Sequence, residues 1–578
     1  MMTTGKRDTL REIAETLVFV IVLVLVMKLF VVDAYVIPTG SMGETLYGYK
    51  KFAKCEECGH GFDVNASEEA EPQASERPSR TVGYCCPNCL HANSTELTNQ
   101  TPISGDRVIV GKALSTDDRE KVVVFKYPSG PQKNQVGTNY IKRLMGLGGE
   151  TIAVFGGDLY ITKALKYDPQ ATNDFGVLRY PRPKNDTDLW KARDQGNDYG
   201  YPNCDEALAL FDKSQAEGFT DPNGFRIFRK SDEQVMVLRR IVYDNEHQSR
   251  KLAEMGAPAR WASTDNSWST DNARTPKTFT HVGPGFNWIR YRHLLPADFA
   301  SQPNMQGWFR PTLNLTPQLV TNYLGYNGGF STGDGLQASQ KSNGDSKHWV
   351  GDLMVECEAT TGAATEAVVL ELSKGTHRYR VEIENGQARF KMFPGQIETT
   401  RPDGNLELTM NRVAVGDKYT LFTKPVAFSP GKHHVRFANI DTRLRLWIDE
   451  TSIDLGEQAD YKPPAIPFDP KDVYREGWTE ANDINEPVSV GATGGVTFGK
   501  LKIYRDNFYV NTGSRANPVR AGHGNLNTYY VHPGHYLCLG DNSAQSSDGR
   551  EWGLVPQRLM LGKAVFVFLP ISQIGFIK

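Results

Sequence analysis

The sequence predicts a mainly β protein of several domains behind an N-terminal apolar segment. Three observations carry that expectation. The chain has 578 residues, more than one ordinary domain holds, so three to four domains are expected. Short β-branched or alternating runs, bounded by Gly, Asn, Asp and Pro, recur from Asp106 to the C-terminus. Leu17 to Ile37 is the one apolar stretch of bilayer length, interrupted only by Lys28 and Asp33.

Composition narrows the function classes. Hydrophobic residues make up 39% and aromatics 10%, enough to build cores and unlike a disordered chain. The formal net charge is −2 and there is no Lys/Arg-rich tract, so no nucleic-acid partner is expected.

Residues 1–37 read as a short tail and a transmembrane anchor, with membrane lipid as its partner. About 20 apolar residues cross the hydrocarbon core as a helix. A cleavable secretory signal, the competing reading, has a shorter apolar region of about 7–15 residues. Lys28 falls late in the span, where its ammonium can reach the interface. Lys6, Arg7 and Arg11 precede the span and Lys50, Lys51 and Lys54 follow it, so charge alone leaves the orientation open.

Residues 38–165 read as the first part of a β core. Asp106–Val110, Val122–Phe125, Tyr140–Leu144 and Ile152–Ile161 are its expected strands, the last carrying the Gly156-Gly157-Asp158 turn signal. Within it, residues 52–100 hold Cys55-x-x-Cys58 and Cys86-x-x-Cys89. Paired C-x₂-C knuckles offer four thiolates at tetrahedral spacing, a zinc-ribbon layout. Two disulfides are the alternative for a domain facing an oxidising exterior. Cys85 beside Cys86 leaves open which thiol binds, and His60 and His91 are read as solvated. Cys204, Cys357 and Cys538 stand alone and read as small buried residues.

Residues 166–277 are polar and read as an insertion, with paired strands expected only in Gly224–Tyr243. Residues 278–504 read as an inserted β-sandwich. Leu353–Glu358, Ala367–Leu372, Tyr379–Ile383, Arg389–Met392, Val435–Phe437 and Leu444–Ile448 have strand lengths, and Asn385-Gly386 is a strong hairpin signal. Residues 505–578 return to the core, ending in the apolar strand Ala564–Leu569. A guest with its own core is expected to fold alone, and its removal to spare the core's chemistry.

Four segments carry the chemistry. Ser41 lies in Tyr35-Val-Ile-Pro-Thr-Gly-Ser-Met-Gly-Glu-Thr-Leu46, just past the apolar run, and Gly105-Asp-Arg-Val-Ile-Val110 follows. Lys142 lies in Tyr140-Ile-Lys-Arg-Leu-Met-Gly-Leu-Gly-Gly-Glu150. Gly540-Asp-Asn-Ser-Ala-Gln-Ser-Ser-Asp-Gly-Arg550 precedes Trp552-Gly-Leu-Val-Pro556. In this order, these segments resemble the conserved boxes of the type I signal (leader) peptidases, membrane Ser/Lys proteases. The resemblance covers roughly residues 10–165 and 505–578. It implies an all-β catalytic core on the outer face of the cytoplasmic membrane, signal-peptide-bearing preproteins as substrates, and no catalytic cofactor.

The residues themselves are consistent with that chemistry. A serine hydroxyl is a weak nucleophile at neutral pH and needs a base. A lysine serves only if burial brings its pKa far below about 10.4. Taken alone, Lys142 would read as a surface lysine on a strand. The resemblance implies Ser41 as nucleophile, Lys142 as base and Thr39 as an oxyanion donor beside the Ser41 N–H. It also implies Ser546 as the serine that orients the lysine, with Asp541, Asp548, Arg550 and Arg143 as an ionic scaffold. Two turns depart from the family pattern by lacking a proline, at Gly43-Glu44-Thr45-Leu46 and at Gly146-Leu147-Gly148-Gly149-Glu150.

In the insert, Gly431-Lys-His-His-Val-Arg-Phe437 and Leu444-Arg-Leu-Trp-Ile-Asp449 are similar to late strands of laminin-G or concanavalin-like jelly rolls. That likeness implies a glycan or protein partner. It keeps open a rival class, a non-catalytic membrane-tethered binding protein. A self-cleaving Ser/Lys repressor would need a DNA-binding helical domain, and no such pattern is found.

Overall fold

The computed structural model describes residues 9–72, 79–93, 95–127, 137–165, 205–263, 265–296, 315–331, 348–375, 377–393, 395–400, 406–410, 419–462, 482–510 and 526–578. The expected buried Cys204 lies outside them.

The half of the chain that carries Ser41 and Lys142 is built on one antiparallel sheet. Its strand order is Val32–Val36, Arg107–Gly111, Met560–Leu569, Val122–Lys126, Asn139–Gly146, His535–Leu539 and Val555–Pro556. The sheet joins chain segments on both sides of the insertion. Val122 and Val124 pack with Ile37, Met42, Val108 and Val110 on one face. Val123 and Phe125 pack with Leu144, Tyr536 and Trp552 on the other. Both faces are covered, which is why this strand reads as an unbroken apolar run. A smaller sheet pairs Thr151–Phe155 with Asp158–Thr162 through Gly156-Gly157, and Asn527–Tyr530 flanks it. Both turn glycines have positive φ, the conformation a two-residue hairpin loop needs.

The expected transmembrane helix is corrected by the structure. Thr9–Val26 is α-helical, Met27–Val31 continues it as a π turn, and Val32–Val36 is a strand paired with Arg107–Gly111. Among the described residues no helix is long and apolar enough to cross a membrane. Arg11, Glu12 and Glu15 take up the helix's first turns. At the other end, β-branched residues and Asp33, whose carboxylate lies 3.2 Å from the Lys112 ammonium, hold the chain in the sheet. Hydropathy counts these residues as one run, whereas pairing divides them.

The cysteine-bearing segment folds as the strands Lys50–Lys54 with Gly61–Asn65, and Thr81–Cys85 with Ala92–Asn93. It rests on the insertion through its two knuckles. Glu57, between Cys55 and Cys58, accepts from Ser249 Oγ at 2.7 Å and from the Lys251 N–H at 2.7 Å. Asn88, between Cys86 and Cys89, accepts from the Asp244 N–H at 2.6 Å and donates to the Asp244 carbonyl.

The insertion is dominated by Leu353–Lys374 and Val488–Arg505, which pair along most of their length. The Asn385-Gly386 turn joins His377–Glu384 to Gln387–Phe393, with both residues at positive φ. This sheet starts ahead of the expected boundary at 278, because Arg240–Asp244 pairs with Val488–Arg505 and Trp261–Ser263 pairs with Asn287–Tyr291. Gly224–Tyr243 is not a strand pair. Asp232–Leu238 is a helix, its first turn capped by Ser231 Oγ accepting from the Gln234 N–H and favoured by Asp232 and Glu233 at its positive end. Asp205–Ala216 is a second helix in the stretch read as polar insertion.

Candidate active site

The Ser41 turn is held from both sides before any chemistry is considered. Ser41 sits in the 3₁₀ turn Gly40–Met42. The turn's entry is tied to the Gly105 box: the Ile37 N–H donates to the Asp106 carbonyl at 2.9 Å, and the Tyr47 N–H to the Asp106 carboxylate at 2.8 Å. A Cβ on Gly105 would lie 1.9 Å from the Ile37 carbonyl oxygen, so this backbone approach requires glycine.

Lys142 comes from the strand Asn139–Gly146, opposite Val123. Its Nζ lies 2.7 Å from Ser41 Oγ and donates to the Ile141 carbonyl at 3.0 Å. Strand alternation puts Tyr140 and Leu144 on the same face as Lys142. The Tyr140 ring lies 5.2 Å from the ammonium, and Trp552 packs edge-on to that ring. Lys142 is buried, and desolvation brings its pKa down to about 8, partly opposed by the charges of Asp548 and Asp541. The position thus holds a lysine whose proton comes off well below the usual lysine range.

The expected scaffold residues surround this pair. Arg143, the next residue, makes a two-pronged contact with Asp541 at 2.8 and 2.7 Å, both side chains fully buried. Arg550 grips Asp548 at 2.9 and 2.6 Å, and Asp548 accepts from the Gly540 N–H at 2.9 Å. Thr39 stands exposed on extended backbone ahead of the turn, with the Gly48 backbone packed against its carbonyl. Ser546 differs from expectation. Its Oγ is buried beside Gly540 and, among the described residues, makes no hydrogen bond, to Lys142 or to another group. Cys538, on the strand next to that of Lys142, is fully buried, and burial raises its thiol pKa.

The four knuckle sulfurs converge. Cys55, Cys58, Cys86 and Cys89 place their Sγ atoms within 4.8 Å of one another, at 3.6 Å for Cys55–Cys89 and 3.7 Å for Cys58–Cys86. Zn–S bonds of about 2.3 Å in a tetrahedron separate sulfurs by about 3.8 Å, so the donor set fits zinc. Cys85 points elsewhere, into a cluster with Leu295 and Phe330. His91 pairs with Glu56 at 2.9 Å, and His60 packs edge-on to His247.

Sequence reasoning missed part of the site. Tyr326 and Asn327 belong to the insertion, yet Tyr326 packs under Gly40 and Gly43, and Asn327 bonds to Asn542 in the Gly540 box. Ser41 and Lys142 themselves lie outside residues 278–504, and the insertion reaches their surroundings through these two contacts. Nothing local to Gly325-Tyr326-Asn327 signals this contact.

The chain matches the family model described as signal peptidase, peptidase S26, over residues 90–195 and 496–569. The matched stretches hold Lys142, Arg143 and the whole Gly540 box, and together are under half of the chain. This match supports a peptidase. Among solved structures, a carbohydrate-binding module CBM66 from Bacillus subtilis is 10% identical over 42% of this chain and 95% of its own, with a TM-score of 0.20. Galectin LEC-6 from Caenorhabditis elegans is 7% identical over 27% of this chain and 83% of its own, with a TM-score of 0.16. Trypanosoma rangeli sialidase is 9% identical over 42% of this chain and 27% of its own, with a TM-score of 0.19. TM-scores this low carry no functional weight.

Proposed function

We propose that this protein is a serine endopeptidase that removes signal peptides from preproteins, with Ser41 as nucleophile and Lys142 as general base. The observation that carries the proposal is the 2.7 Å contact between Ser41 Oγ and a buried Lys142, in a chain that matches the signal peptidase family model. Neutral Lys142 takes the Ser41 proton as the oxygen attacks the scissile carbonyl. The Ser41 N–H and the Thr39 hydroxyl would receive the oxyanion. Lys142 then returns the proton to the leaving amine, and water, activated by the same lysine, hydrolyses the acyl-enzyme. Cleavage of a purified preprotein by wild type beside Ser41→Ala tests the proposal; equal cleavage by both would end it.

The lysine's burial sets the pH dependence. Its proton is off above its pKa of about 8, and only the neutral amine accepts a proton from serine. We expect kcat/KM to rise with pH through a limb near pH 8 and then level off. A profile flat from about pH 6 to pH 10 would remove Lys142 from the role of titrating base.

We also assign a structural zinc to Cys55, Cys58, Cys86 and Cys89. Four thiolates leave no open position, so the metal would brace the ribbon and take no part in the reaction. Metal analysis of purified protein is expected to give about one zinc per chain. Thiol titration of unreduced, denatured protein that found two disulfides and no metal would overturn the assignment.

We place the enzyme at a membrane surface, with its catalytic half outside. Leu17–Val26 of the N-terminal helix are exposed on every side, the profile of a helix that meets lipid or another apolar surface. Flotation with lipid vesicles is expected for the full chain and not for one starting after Val31.

A further inference from the structure

The turn Gly325–Asn327 of the insertion touches the nucleophile turn at two points. The first is steric. A Cβ on Gly40 would lie 2.8 Å from the Tyr326 ring, and one on Gly43 would lie 2.6 Å from it. Tyr326 is fully buried and meets Tyr47 edge-on at 5.3 Å, so its ring closes the space against the Ser41 turn.

The second is a hydrogen-bond relay. Asn327 and Asn542 exchange two side-chain hydrogen bonds, at 2.7 and 2.8 Å. Asn542 Nδ2 also donates to the Gly40 carbonyl at 3.0 Å, and its backbone N–H donates to the Ser41 carbonyl at 3.0 Å. Asn542 thus holds the carbonyls on either side of the nucleophile. A buried primary amide has two donors and an acceptor to place. Asn327 takes one of those donors and supplies the acceptor's partner, which leaves the other donor aimed at Gly40. Without Asn327 the amide can turn away, and the Gly40 carbonyl is left with the Gly43 N–H at 3.0 Å, so the Gly40–Ser41 peptide loses part of its restraint. That peptide carries the Ser41 N–H, an oxyanion donor in the mechanism above, and its tilt sets the direction of Ser41 Oγ.

We propose that Asn327, carried by the inserted half of the chain, is a positioning residue for the Ser41 nucleophile and acts through Asn542. Tyr326 backs the same turn. The insertion is then part of the working enzyme rather than cargo on it. This inference rests on the Ser41/Lys142 reading.

The test uses the full chain and three variants, with kcat and KM measured on one preprotein at a pH where Lys142 is neutral. Asn327→Leu keeps the volume and loses both hydrogen bonds. It is expected to lower kcat by about 10- to 100-fold, the scale of a displaced reacting group, with KM nearly unchanged. Asn327→Asp keeps an acceptor for Asn542 Nδ2 but sets its second oxygen against Asn542 Oδ1, and is expected to recover only part of the lost kcat. Leu319→Ala makes a cavity in a separate apolar cluster of the insertion, with Ile484 and Trp349. It is expected to lower the melting temperature and leave kcat as it was. Wild-type kcat in Asn327→Leu would overturn the inference, as would an equal loss in Leu319→Ala. No cleavage by wild type, or undiminished cleavage by Ser41→Ala, would instead overturn the Ser/Lys reading and this inference with it.

Discussion

Replacing either Ser41 or Lys142 by Ala is expected to reduce preprotein cleavage by at least about 10³-fold, and the double variant to be no worse than either single one. The reason is the shared proton. Ser41 Oγ has Lys142 Nζ at 2.7 Å, and each group is idle without the other. Lys142→Met is the cleaner variant of the lysine, because it refills the buried space without a base. Single-turnover cleavage, beside circular dichroism to confirm folding, gives the answer. A Lys142→Met enzyme that kept a tenth of wild-type turnover would dismiss the dyad.

The second large effect is on stability. Arg143 and Asp541 are fully buried and grip each other by two contacts. Asp541→Ala would leave the guanidinium buried, with the Glu120 carbonyl and the Lys578 backbone oxygen as its remaining hydrogen-bond partners among the described residues. Breaking a buried pair from one side costs about 3–5 kcal/mol, since the stranded charge keeps its desolvation penalty. Urea unfolding is expected to show a loss of that order, with much of it restored when Arg143→Met is added. A loss below about 1 kcal/mol would mean that the site relaxes or admits water. Because Asn542 is the next residue, the same variant is also expected to lose activity.

What could be read from the sequence followed how local the cause was. Val122–Phe125 and the Asn385-Gly386 turn are legible because burial on two faces and positive φ leave marks on adjacent residues. Ser41 and Lys142 are legible only through the company of their motifs, since a lone strand lysine carries no sign of its own burial. The membrane-length run misleads because hydropathy does not distinguish a helix from a strand of β-branched residues, and Val32–Val36 takes the strand. The helix Asp232–Leu238 was hidden under the apolar run Val-Met-Val-Leu, although Ser231 and the two acidic residues after it mark a helix start. Cys85 and Cys86 differ by one place, and alternate directions along the chain send one thiol to Phe330 and the other to the sulfur cluster. Tyr326 and Asn327 had no local signal, because their partners are distant in sequence and meet them only in the folded chain.

Arg240 and Arg505 are register partners in the insertion's sheet. The point where the chain enters that sheet therefore lies beside the point where it leaves. To the peptidase sheet, a folded insertion is a short connection, and joining strands on either side of it costs little more entropy than closing an ordinary loop. An unfolded insertion is a tether of hundreds of residues between strands that must find each other. The order of events during synthesis follows. The insertion's sheet can close once Val488–Arg505 has emerged, while Arg107–Gly111 and Val122–Lys126 wait for Met560–Leu569 to slot between them. Until then both carry an open strand edge, so a chain cut short before that last strand would be the most aggregation-prone form of this protein.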